Sequence, residues 1–309
     1  MNGAPREQGE RVPFTTFSGP GRFWRGNLHT HSTLSDGVFA PDAVAEFYRD
    51  AGYDFIALTE HFWPAYGFRI ADTRGLRRNT FTTIPGAELH APANSRGEEW
   101  HIVAVGLPLD FAPCRDGETG REIADRALAA GAFVGIAHPQ WSGLTLADGE
   151  ALAHVHAVEI YNHGCAVDSD RGDGLVLWEQ LLAAGHRLSG YAADDAHFAT
   201  PDPGGGWVMV KAEALEPELL VAALKRGDYY SSQGPVLHDI VAEGNEVSIA
   251  CSPVRTLIVV GRGQPSRARH GLSMTRAILS LDPFPAGGYV RIVAIDDHGR
   301  RAWSNPVWR

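Results

Sequence analysis

Apolar residues recur along this chain in two rhythms. Short continuous apolar runs, read as strands buried on both faces, alternate with stretches whose apolar positions recur at helical spacing. The first helix is predicted to start at Pro41, a good first-turn residue, with Val44, Phe47, Tyr48 and Ala51 on its apolar face and Gly52 at its end. The strand Phe55-Ile56-Ala57-Leu58 follows and stops at Thr59-Glu60-His61. Thr119 and Glu122 stand at capping-box spacing, which predicts a helix to Ala130 closed by Gly131. The run Phe133–Ala137 then ends at His138, and Val158–Tyr161 ends at Asn162-His163. A helix over Asp173–Ala184 precedes a run that stops at Asp194-Asp195, and a helix over Glu216–Lys225 closes the series. Helices between strands imply parallel pairing, in a barrel or an open α/β sheet. Polar residues keep appearing just after the strands, the face on which α/β barrels carry their chemistry.

The rhythm changes near Gly227. From Val236 onward the runs Val247–Cys251, Thr256–Val260, Met274–Leu281 and Tyr289–Ile295 are strand-like and punctuated by Gly and Pro. The expected organisation is a flexible tail over residues 1–21, an α/β unit over 22–235 and a small all-β, sandwich-like domain over 236–309.

Charge narrows the function classes. The 309 residues carry 27 Lys and Arg against 37 Asp and Glu, a net charge of −10. Binding long nucleic acid requires clustered cations to neutralise phosphates, so no such partner is expected. No apolar run approaches a membrane span, and the first twenty residues lack an apolar signal core, so the expected location is cytoplasmic. The 3 cysteines are read as small core residues.

Of the 14 histidines, six are organised rather than scattered. In the extended segment His29-Thr30-His31, residues i and i+2 point to one side, so both imidazoles reach one ion. Asp36, before Gly37, folds a carboxylate back toward them. His61, Glu88, His101, His138 and the pair Asp195-Ala196-His197 all sit at or beside predicted strand ends. Nitrogen and oxygen ligands without thiolate suit Zn, Mn or Fe.

The order His-x-His-Ser, Ser-Asp-Gly, Thr-Glu-His, Gly-x-Glu, Ala-His-Pro and Asp-x-His, across residues 25–235, resembles the PHP (polymerase and histidinol phosphatase) family. The resemblance implies a distorted (β/α)7 barrel with a trinuclear centre of three divalent metal ions. It implies one ion on His29, His31, Glu88 and Asp195, a second on Glu88, His101 and His138, and a third on Asp36, His61 and His197. Glu60 stands where the family often has Asp, which puts an outer hydrogen bond in question. Glu88, Asp195 and His163 are the candidate catalytic residues, His163 as a substrate contact or proton donor at a strand end.

The loop after His61 carries Trp63 and Tyr66, then Arg69 and Arg78. It reads either as a wall that packs on a leaving group and holds a phosphate through Arg69 and Arg78, or as a lid with a solvated basic rim. His90 either lines the pocket or lies outside it. The Gly-rich stretch Pro201–Trp207 reads as a mobile loop or as a plain connector. The leading expectation is a phosphoesterase that cleaves a small phosphomonoester or phosphodiester with a metal-bridging hydroxide. A second follows from similarity to the carbaryl-hydrolase branch of PHP proteins, with a carbamate or carboxylic ester as substrate. The third is a metal-stabilised scaffold without activity.

Overall fold

The computed structural model describes residues 14, 15, 17 and 19–309. The molecule is a mixed α/β structure built on one extended sheet. Strands Arg22–Asn27, Phe55–Leu58, Thr82–Ala91, Trp100–Val105, Phe133–Ile136, Ala157–Asn162 and Ser189–Ala193 hydrogen-bond in that order. A parallel bridge between Thr30 and Ala196 then returns the last strand to the first. There the His31 amide donates to Ala196 O at 2.9 Å and the Asp195 amide to His29 O at 2.8 Å.

Parallel pairing holds for most of this series and fails at one strand. Trp100–Val105 is antiparallel to both neighbours. The chain turns back from Ala91 to Trp100 through a loop with no helix, so the strand enters in reverse. The capping box is formed: the Thr119 hydroxyl accepts from the Glu122 amide, and the Glu122 carboxylate accepts from the Thr119 amide. The first helix, Pro41–Asp50, buries Val44, Ala45 and Tyr48, in one cluster with Ile56 and Leu58. Phe47 stays partly exposed and Ala51 is exposed, so the apolar stripe is narrower than its spacing implied. Two short helices, Leu146–Ala151 and His163–Ser169, were missed because so few residues show no period.

Beyond Ser232, the strands Leu237–Glu243, Glu246–Gly261, Ser266–Ser280, Tyr289–Ile295, Arg301–Ser304 and Val307–Trp308 pair antiparallel. The runs Val247–Cys251 and Thr256–Val260 are one strand, irregular around Pro253, as expected where a residue cannot donate to the ladder. These strands join the α/β part directly: Tyr229–Ser232 pairs with Arg301–Ser304. Tyr289, Val293 and Trp303 share a core with Trp178 and Leu181. The expected tail differs at its far end. Phe14–Thr15 pairs with Val241 and Ala242, and Phe17 is buried beside Phe23 and Tyr230. Residues 1–13, 16 and 18 lie outside the described residues. Among the described residues no helix is long and apolar enough to cross a membrane.

His156 links this packing to pH. Its ring stacks on Phe133 and accepts the Val134 amide. Burial and then the charge of Lys225 lower it from its ordinary value to about 4. The unfolded chain therefore takes up this proton first. The stabilisation is complete above the ordinary histidine range and falls as pH drops through 6.5 toward 4. His156→Gln is expected to lose less thermal stability than the parent between pH 7 and pH 5, and equal losses in the two melting series would refute this.

Candidate metal centre

Strand alternation aims the chemistry at one place. Along Thr82–Ala91, Ala87 and Leu89 pack in the cluster outside the ring, so Glu88 and His90 face its interior. Register does the rest. His61 pairs with Glu88 in parallel, and His90 lies directly opposite His101 in the antiparallel pair. His29 and His31 follow Arg22–Asn27, and Asp195 follows Ser189–Ala193, meeting across the closing bridge. Asp195 has φ 53, the left-handed region costly for a non-glycine residue. Its amide bond to His29 O and the Asn162 amide that donates to Oδ2 at 3.0 Å hold it there.

All nine expected ligands converge. His31, Asp36, His61 and His197 form one donor group, His29, His31 and Glu88 a second, and His29, His138 and Asp195 a third. A fourth group comprises His61, Glu88, His90 and His101. Within each, the donor atoms lie within 4.8 Å of one another. Glu88 Oε1 lies 2.7 Å from His101 Nδ1 and 3.0 Å from His138 Nε2. Asp195 Oδ1 lies 2.9 Å from His31 Nε2 and 3.2 Å from His29 Nε2. Asp36 bridges His61 and His197, at 3.3 Å from each.

The donor set fits divalent cations. Glu88 Oε2 lies 2.7 Å from His61 Nδ1 and 3.6 Å from both His29 Nε2 and His31 Nε2, yet it has no aligned hydrogen bond. His29 Nε2 and His90 Nδ1 are likewise buried and unpartnered. Buried polar atoms left unpaired are costly, and imidazole and carboxylate groups that converge in this way suit an ion at their centre. Electrostatics agree. Burial pushes Glu88 up, but the charges of His61, His101 and His29 take it well below the ordinary carboxylate range. Burial pulls His29 down, but Asp195, Glu159 and Glu88 raise it well above the ordinary value. Burial also opposes His61, which Glu88 and Asp36 nevertheless raise to about 10. His31 is lowered to about 3 by burial and by the charge of His197. Protons on some imidazoles thus balance the carboxylates, and metal binding would release them.

Residues outside the nine support these donors, and one of them, Glu159, escaped the sequence reading. Glu159 is fully buried; its carboxylate lies 3.1 Å from His29 Nδ1 and accepts the His138 amide at 2.6 Å and Asn162 Nδ2 at 2.9 Å. Its signal was a charge inside the apolar run Val158–Ile160. Glu60 accepts from the Ser32 and Ser35 hydroxyls and the Ser32 amide, so the longer side chain keeps an outer hydrogen bond. Asp194 accepts from the amides of Gly204, Gly205 and Gly206 and from the Tyr48 hydroxyl. That anchors the Gly-rich stretch as a fixed connector.

The residues expected to meet substrate divide. Trp63 stacks on His61 at 4.6 Å and packs on His90 at 4.4 Å, while Tyr66 lies 6.4 Å from His61. Trp141, itself exposed, meets His101 and His138 edge-on at 5.4 and 5.0 Å. His90 is buried among the donors. Arg78 is not brought to the site. It precedes Thr82 at the opposite end of the strand from Glu88, and its guanidinium bonds Gly75 O and Arg77 O. Arg69 is exposed, and among the described residues no ion pair ties it to the cluster. His163 joins none of the donor groups. Its Nδ1 lies 2.8 Å from the Tyr161 hydroxyl, and its ring occupies the space a Cβ on Gly205 would need, 2.1 Å away.

No family model matches the chain, and no curated protein matches it. Solved structures do. A two-domain protein of Bacteroides vulgatus containing a predicted PHP-like metal-dependent phosphoesterase aligns with a TM-score of 0.55 at 16% identity, over 95% of this chain and 96% of that one. The likeness extends over nearly the whole of both chains and is one of fold. Two further structures cover 57% of this chain and 89% of their own. One is a candidate metal-dependent phosphoesterase of Bifidobacterium adolescentis, with TM-score 0.42 and 15% identity. The other is an amidohydrolase of Chromobacterium violaceum, with TM-score 0.43 and 16% identity.

Within this fold, Glu159 sets the orientation of His29 and the backbone at His138. Glu159→Gln is expected to leave the chain folded and to weaken metal affinity by about 10–100-fold, the usual cost of losing an outer partner. Competition against a chelator reads this directly, and an unchanged affinity would remove Glu159 from the centre.

Proposed function

We propose that the chain is a metal-dependent hydrolase, and specifically a phosphoesterase acting on a small phosphomonoester or phosphodiester. The observation that carries this reading is the convergence of six imidazoles and three carboxylates, His29, His31, Asp36, His61, Glu88, His101, His138, Asp195 and His197, at one end of the strand ring. We infer that these residues hold three divalent ions in a PHP-type (β/α)7 barrel spanning 22–235, with the all-β part over 236–309. Divalent ions held there would lower the pKa of water toward neutrality and offset charge on a phosphoryl group.

The chain's own residues do the rest. Glu88 and Asp195 supply carboxylate oxygens between several imidazoles, so both would help to hold the ions. Glu159 and Asn162 fix His29 and Asp195, which keeps the donors in place before substrate arrives. Trp63, stacked on His61, and Trp141, against His101 and His138, wall the centre and limit water above it.

One observation favours a second reading, a carbamate or carboxylic ester hydrolase. The rim is aromatic, and the ion pairs of Glu88, Asp36 and Asp195 are all to imidazoles. A neutral ester needs no arginine clamp, and an aryl leaving group would pack against Trp63 or Trp141.

The deciding experiment compares an aryl phosphomonoester, phosphodiester, carboxylic ester and carbamate with Mn- and Zn-loaded protein. Phosphate-ester hydrolysis is expected, falling by at least about a hundredfold in His29→Ala. Turnover of the ester or carbamate alone would replace the phosphoesterase reading with the second one. No turnover of any substrate would reduce the centre to a structural role.

A further inference from the structure

His61, Glu88, His90 and His101 form a staggered grid across three adjacent strands, with Glu88 and His90 on the middle one. His61 is in register with Glu88, and His90 with His101, on one face of the sheet. Directly opposed residues on one face keep their Cβ atoms about 4.5–5.5 Å apart, within reach of a shared ion. The contacts agree. His61 Nδ1 lies 2.7 Å from Glu88 Oε2 and 3.0 Å from His90 Nε2, and His101 Nδ1 lies 2.7 Å from Glu88 Oε1. All four residues are buried, with His90 at 2% exposure and Glu88 at 1%.

Two atoms in this grid lack partners, Glu88 Oε2 and His90 Nδ1. Among the described residues no protein group is within hydrogen-bonding geometry of His90 Nδ1. The nearest carboxylate oxygen, Glu99 Oε2, is 3.9 Å away. His61 also turns its Nε2 to Asp36 at 3.3 Å, toward the His197 group.

We propose that His90 is itself a metal ligand, completing a cation position with Glu88 and His101. This widens the donor set beyond the nine residues above and rests on the metal-binding reading.

Cobalt(II) is the probe, because its spectrum reports which atoms are bound. Cobalt-loaded His90→Cys is expected to show a near-ultraviolet thiolate-to-cobalt band that the parent lacks, since a coordinated cysteine is deprotonated. The parent keeps Cys114, Cys165 and Cys251, so its own spectrum controls for them. A folded, cobalt-loaded His90→Cys without the band overturns the proposal, even if His90→Gln binds cobalt more weakly. An orienting hydrogen bond alone would give that weakening. Should His90→Cys not fold, the visible spectrum of cobalt-loaded His90→Gln decides: a changed spectrum upholds His90 as a ligand and an unchanged one refutes it. A parent chain that retains no cobalt overturns the metal-binding reading together with this one.

Discussion

A carboxylate buried to 1% exposure, Glu88, is the constraint around which the rest of the molecule is arranged. An ionised group deep in a protein costs several kcal/mol unless matched charges and hydrogen bonds surround it. Six imidazoles lie within 3.9 Å of the Glu88 carboxylate: His29, His31, His61, His90, His101 and His138. No single strand could supply them. They come from chain ends brought together by a sheet whose pairings return to their start. The ring is therefore more than a scaffold beneath the site. Its closing contacts, His31 to Ala196 and Asp195 to His29, are made by the donor segments themselves, so closing the fold and assembling the centre are one event.

The reversed strand Trp100–Val105 shows how directly topology serves that centre. In a parallel arrangement, a residue at the start of this strand would lie at the far end of the ring from Glu88. Entering antiparallel after a short loop, the strand begins at the site, and His101 lands opposite His90. The reversal also explains why His101, alone among the expected donors, precedes its apolar run.

The donors were legible in sequence because they break apolar runs at their ends, where a histidine has no packing reason to stand. The outer residues were less so. Glu159 sits inside the run Val158–Ile160, and period-two alternation could have shown that it faces opposite to Val158. Its partners, His29 and the His138 amide, come from distant segments that only the fold brings near. Arg78 misled for the opposite reason. Closeness in sequence to His61 implied closeness in space, but the chain travels to the other end of the ring before Thr82 begins the next strand. His163 stands at a strand end on the correct side, yet it starts a short helix and turns its ring to Tyr161 and Gly205. A strand-end rule fixes which end of the fold a residue occupies. It leaves open which way the side chain points.

With the arginines elsewhere, the balance of charge at the centre acquires a simple form. Among the described residues, the carboxylates Asp36, Glu88, Asp195 and Glu159 form ion pairs with imidazoles alone. Imidazole is the one side chain that can carry a proton or yield its lone pair to a cation near neutral pH, so these pairs can exchange protons for metal without leaving a carboxylate unpaired. Lysine or arginine in the same places would neutralise the carboxylates permanently and compete with any ion for them. The aromatic walls extend the same logic outward. Trp63 and Trp141 pack apolar rings on the donor imidazoles without adding charge of their own, so on the proposed reading a substrate's charge would be read by the centre and its shape by the rim. On the hydrolase reading proposed above, selectivity between an anionic ester and a neutral one would depend on how much positive charge the carboxylates leave uncancelled once ions are bound, a quantity set by the number of ions rather than by any residue on the rim.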